Sequence, residues 1–163
     1  MRYTWDDGSV TADGERVAGT GPDFWGRAPE VEIDGAQWTF RVQRDGMSGV
    51  RAGDDRDALV LERGAPWRAR CRMLGPSGST LLVRTTSWLL GKLHFDVQLQ
   101  GGLVGEITPV GPWRYRPALE LREPMTHAEA VFLLWVASRI DASRPVHTVR
   151  AGAGLSPGAS GAM

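Results

Sequence analysis

The stretch that most constrains this chain is an apolar segment near its C-terminal end, residues 126–140. Thr126-His127-Ala128-Glu129 has the form of a capping box, in which the threonine side chain accepts from an amide of the first turn and the glutamate three residues on reaches back. A helix therefore starts here. Its body, Ala130-Val131-Phe132-Leu133-Leu134-Trp135-Val136-Ala137-Ser138, is apolar on nearly every side, whereas a helix lying on a sheet shows a polar stripe. At roughly 15 residues it falls short of the ~20 that cross a bilayer, so no transmembrane segment is expected. The helix has to be enclosed by protein, and what precedes it is a run of short strands.

Those strands announce themselves by alternation and by turn residues. Asp7-Gly8, Asp13-Gly14 and Asp34-Gly35 are hairpin signals, because glycine accepts the positive φ of a tight turn. Around them the pattern predicts strands over 2–5, 9–11, 15–19, 29–33 and 36–44, then 49–52, 58–63, 66–74, 79–88, 91–100, 103–108 and 113–121. Within 36–44, Trp38, Phe40 and Val42 share one face and Thr39, Arg41 and Gln43 the other, as in a half-buried strand. The fold class is therefore mainly β. About twelve strands can close into a barrel, which removes exposed edges and leaves an interior wide enough to need filling. The apolar helix is the object that fills it, with Phe132, Leu133, Leu134, Trp135 and Val136 expected to meet inward residues such as Trp38, Phe40, Leu93, Phe95 and Val97. Burying five such side chains at ~1.5–3 kcal/mol each contributes on the order of 10 kcal/mol, comparable to a domain's net stability.

Composition fits one folded domain over residues 1–142, followed by a polar, glycine-rich tail, 143–163, that reads as disordered. Nineteen Lys+Arg balance nineteen Asp+Glu, which argues against a general nucleic-acid binder. Lys92 stands alone among arginines, a bias attributed to GC-rich coding. Cys71 is the single cysteine, so no internal disulfide and no thiolate metal cluster is expected. The first residues, Met1-Arg2-Tyr3-Thr4-Trp5-Asp6-Asp7, lack the apolar stretch of a signal peptide, which points to the cytoplasm.

A succession of short strands is followed by Phe95-Asp96-Val97-Gln98-Leu99-Gln100-Gly101-Gly102-Leu103-Val104-Gly105-Glu106-Ile107, then by Trp113 and Leu119-Glu120-Leu121, then by a buried helix beginning at Glu129-Ala130. This arrangement resembles the tubby-like barrel superfamily, and within it the plant LURP-one-related proteins and the phospholipid scramblases. The resemblance spans residues 2–142 and is best over 95–140. It implies a twelve-stranded barrel threaded by its last helix, and a non-enzymatic domain that in some members associates with membranes or phosphoinositides. No phosphoinositide-binding residue carries over to a position of this sequence. Lipid scrambling does not transfer either, because the cysteines suited to acylation are reduced here to Cys71, which alternates in register with Trp67 and so points inward.

The residues then offer several sites. Arg68, Arg70 and Arg72 fall on one face of a strand, and with Arg84 or Lys92 from neighbouring strands they would form a basic patch for phosphate oxygens. The plainer description of that patch is a solvated barrel exterior. Asp54-Asp55 with Asp57 lacks the glycine and terminal glutamate of an EF-hand and reads as a solvated turn. His94 and Asp96 alternate on one face, but no nucleophile is placed beside them. His127 and His147 lack zinc-ligand spacing. Trp5, Trp25, Trp88 and Trp113 stand near predicted turns, where a cluster with the arginine face would make a surface for a membrane or partner. These readings favour a binding or interaction module, with anionic lipid head groups or a protein as partner. A barrel carrying a small apolar ligand such as a fatty acid is the alternative, and an enzyme comes third. No metal or cofactor is expected.

Overall fold

The computed structural model describes residues 1–63, 70–85, 93–110 and 116–142. Among them the chain forms β1 (Arg2–Asp6), β2 (Ser9–Ala12), β3 (Glu15–Thr20), β4 (Glu30–Ile33), β5 (Ala36–Gln43), β6 (Gly46–Arg51), β7 (Leu59–Arg63), β8 (Arg70–Gly75), β9 (Gly78–Arg84), β10 (Phe95–Leu99), β11 (Gly102–Val110), β12 (Arg116–Leu121) and α1 (His127–Ala142). Each strand pairs antiparallel with its neighbours in sequence, and β1 returns to β12 with Arg2 opposite Glu120 and Tyr3 opposite Leu119. The sheet is a closed, up-and-down, twelve-stranded barrel.

The Asp-Gly turns behave as their chemistry demands. Asp7, Asp13 and Asp34 sit at φ 34°, 49° and 49°, followed by Gly8, Gly14 and Gly35 at 85°, 92° and 76°, the left-handed pairs of a two-residue hairpin. Gln100-Gly101 repeats the geometry between β10 and β11. One strand begins earlier than alternation predicts. Pairing in β6 starts at Gly46, since its missing side chain lets the β7 backbone pass close by: a Cβ there would run into the Leu61 carbonyl oxygen. The parts of the predicted strands at 66–69, 86–92 and 113–115, and the tail 143–163, lie outside the described residues.

The interior is occupied by α1. Twelve of its sixteen residues are buried, and Ala130 to Ala137 have no exposed surface at all, so no face of its body is wetted. The expected inward partners Trp38, Phe40, Leu93, Phe95 and Val97 are all buried. The Phe40 ring packs against Phe132 at 5.1 Å and Trp135 at 5.4 Å, the first of these edge-on as ring quadrupoles prefer.

The two ends of the barrel differ, and α1 gives them direction. At the end where the helix starts, Thr126 and Glu129 form the anticipated capping box: the Glu129 amide donates to Thr126 Oγ1 (3.3 Å) and the Thr126 amide to Glu129 Oε2 (3.2 Å). The carboxylate also accepts from the Ser77 amide (2.8 Å) and the Ser77 and Thr126 hydroxyls, so a wholly buried charge is satisfied by four donors. This ties α1 to the β8–β9 turn. Gly75 leaves the room, since a Cβ there would lie 2.6 Å from Glu129 Oε1. His127 Nδ1 meets Asp34 Oδ1 at 2.8 Å, fastening the first helical turn to the β4–β5 turn. Tyr3 stacks edge-on against the His127 ring, and burial, then the charges of Asp34 and Asp13, push its phenol up to about 12. Because the strands alternate in direction, the β1–β2, β3–β4 and β5–β6 connections lie at the opposite end, where α1 finishes.

Candidate functional site

The predicted arginine face is only partly assembled. Arg70 lies opposite Val83 and Arg72 opposite Leu81, both on the outside of β8. Arg72 is engaged there: its guanidinium holds Glu62 across the β7–β8 pair, with Nη2 and Nε each 3.0 Å from Oε2. Arg84 does not join them. It falls two positions after buried Leu82 and four after buried Thr80, on the same strand face, and stands opposite buried Phe95, which puts it on the barrel-facing side of β9. Arg68 and Lys92 lie outside the described residues, as do Trp67, Trp88, Trp113 and His147. The Asp54, Asp55, Asp57 turn is exposed, and among the described residues no group of three His, Cys, Asp or Glu is arranged to hold a metal.

A different arginine cluster forms where α1 ends. The β3–β4 connection, residues 21–29, makes two tight turns, with the Phe24 amide donating to Gly21 O (3.2 Å) and the Gly26 amide to Asp23 O (2.7 Å). These turns carry the connection over the end of the helix. The Trp135 indole donates to Gly26 O (2.9 Å) and Arg139 Nη1 to Trp25 O (2.9 Å), so α1 holds the connection by its backbone carbonyls. On the barrel side Phe24 is fully buried and packs on Trp25 at 4.6 Å; Trp25 meets Trp5 edge-on at 5.7 Å. Trp5 is pinned by its indole donating to Thr20 Oγ1 (2.9 Å), and the Arg116 guanidinium lies 4.1 Å over its ring, a cation–π contact.

Three arginines from three elements thus surround an aromatic pair: Arg27 from the connection, Arg116 from the start of β12 and Arg139 from the last turn of α1. None of the four ion pairs among the described residues involves any of them. Burial, and after it the like charge of Arg27, lower the pKa of Arg139 from the ordinary arginine value, which leaves it charged at neutral pH. Two donors in this cluster, Arg139 Nε and Trp25 Nε1, are buried with no hydrogen-bond partner among the described residues. Chemically the arrangement is a partly desolvated cationic surface with planar aromatic walls, suited to an acceptor-rich anion.

Sequence reasoning placed Trp5 and Trp25 near turns but missed Arg27, Arg116 and Arg139 as a group. They are 23 or more positions apart, and only the direction of α1 inside the barrel brings them together. Two clefts lined by described residues lie elsewhere: one runs along Arg16, Gly19, Glu32 and Asp34, the other along Arg2, Asp13, Glu106 and Arg122, and neither is lined by α1. No helix among the described residues is long and apolar enough to cross a membrane. No protein-family model, no curated protein and no solved structure matches the chain.

Proposed function

We propose that this protein is a non-catalytic binding module that turns the helix-exit end of its barrel toward an anionic lipid surface. The observation that carries this reading is the set Arg27, Arg116 and Arg139, none in an ion pair among the described residues, around the half-buried rings of Trp5 and Trp25. Cationic groups beside amphipathic aromatics match a lipid head-group layer, where a ring's apolar body and polar edge are both accommodated. Asp7, Asp23 and Asp45 lie in connections of the same end, so binding there rests on the local cluster and not on the charge of the whole end. The likeness to tubby-like barrels, some of which associate with membranes, supports the reading as well.

Co-sedimentation with phosphatidylcholine vesicles, with and without phosphatidylserine, tests it. Binding should appear only with the anionic lipid, weaken on Arg27→Gln plus Arg116→Gln, and fade as salt rises. Equal retention on neutral and anionic vesicles, or full retention by the double variant, would remove the proposal.

A further inference from the structure

We infer that Arg27 and Arg139 form, with the Trp25 indole, a discrete site for a compact oxyanion of the phosphate class at the helix-exit end of the barrel. The inference deepens the proposal above and rests on its choice of that end, but it names a local ligand where that proposal names a surface.

Three observations carry it. First, Arg139 is placed for something other than closing the helix. A basic residue in the last turn ordinarily serves the free carbonyls of its own helix, yet its Nη1 donates across to Trp25 O instead, and its Nε faces no acceptor among the described residues. Second, the Trp25 indole is a second buried donor without an acceptor, on the residue whose carbonyl Arg139 already holds. Buried donors are seldom left unmatched, and two on residues joined by one hydrogen bond are the ground for inferring an acceptor from outside the chain. Third, Arg27 stands two positions beyond Trp25 on a connection fixed to α1 by Gly26 O and to β5 by the Val42 amide donating to Arg27 O (3.2 Å). Two like charges are therefore held near one another by backbone geometry, with neither in an ion pair among the described residues. A tetrahedral oxyanion supplies what the site lacks, since one oxygen can accept from a guanidinium edge while others reach the second arginine and the indole. Burial and the neighbouring Arg27 both weaken the hold of Arg139 on its proton, the signature of a cation short of counter-charge. Asp23, the carboxylate nearest Arg27 on the same connection, takes no part in those ion pairs either, and it sets the competition a ligand has to beat.

The test follows the Trp25 indole N–H resonance, assigned with Trp25→Phe, as inorganic phosphate replaces chloride at constant ionic strength. A saturable shift is expected, with affinity reduced about tenfold or more in Arg139→Gln and in Arg27→Gln, the loss of a charge-assisted contact. Arg27 is exposed, so Arg27→Gln keeps the test decisive should Arg139→Gln fold poorly. A linear shift shared with chloride, or unchanged affinity in Arg27→Gln, would overturn the site. Parallel vesicle arms carry phosphatidic acid or phosphatidylserine. Vesicle binding without a phosphate shift keeps the surface proposal and refutes this site; a phosphate shift without vesicle binding keeps the site and assigns it to a free phosphorylated ligand.

Discussion

Replacing Phe132 by alanine probes the relation between α1 and the barrel at its most crowded point. Phe132 is fully buried, its ring 5.1 Å from Phe40 at 75° and 5.7 Å from Trp135. Truncating a buried phenylalanine costs ~3–5 kcal/mol, and here the upper part of that range applies because the walls around the void are strands fixed by their ladders and cannot collapse onto it. The expected loss is about 4–5 kcal/mol, which for a chain of this size lowers Tm by ~8–20 °C. Urea unfolding followed by tryptophan fluorescence should show a lower midpoint with the slope unchanged, since the surface exposed on unfolding is nearly the same. A double-mutant cycle with Phe40→Ala should return a coupling of ~0.5–1.5 kcal/mol, the added value of an aromatic pair. A loss below ~1 kcal/mol, the range of a surface substitution, would mean that Phe132 is solvated and that the helix does not fill the barrel.

Other outcomes follow from the helix-start end. Glu129→Gln should cost ~2–3 kcal/mol in urea unfolding, because a charged acceptor serving four donors becomes a neutral one with a misplaced donor of its own, whereas Arg72→Gln, which breaks an exposed pair, should stay within ~1 kcal/mol. Gly75→Ala should destabilise as well, by forcing the Glu129 carboxylate off the Ser77 amide; a calorimetric Tm equal to that of the native chain would show that the pocket has room. Tyr3 sets an alkaline limit. Its phenol titrates at about 12 in the folded chain and near 10.0 unfolded, so native protein keeps a proton that the unfolded chain gives up, and the associated stability, complete below pH 10, drains between about pH 10 and 12. Urea midpoints measured across that window should fall more steeply for the native chain than for Tyr3→Phe.

Much of this architecture is legible in the sequence because its signals are local. Asp13-Gly14 and Asp34-Gly35 specify their turns through two dihedral angles, and the Thr126–Glu129 spacing specifies a helix start within one turn. The absence of any polar stripe between Ala130 and Ala137 needs no partner to be named before it implies enclosure. What escaped depends on contacts distant along the chain. Glu129 reads as a cap, but its strongest engagement is with Ser77, 52 residues away. Arg84 looks equivalent to Arg70 and Arg72 in sequence, yet strand alternation turns it to the opposite side of the wall. The start of β6 is hidden because Gly46 and Gly49, which weaken a strand signal, are what let its neighbours approach. Arg27, Arg116 and Arg139 share no pattern at all; the β3–β4 connection and the direction of α1 make them neighbours.

Hydrogen exchange across α1 tests the central relation most directly. If the helix is enclosed by a closed sheet, the amides from Val131 to Ser138 exchange only when the whole barrel opens, with the same opening free energy as the Phe95–Leu99 and Gly102–Val110 ladder and the same response to denaturant. Exchange of those amides at a lower free energy, while the β10–β11 ladder stays protected, would show a helix that leaves the barrel independently and would contradict the account.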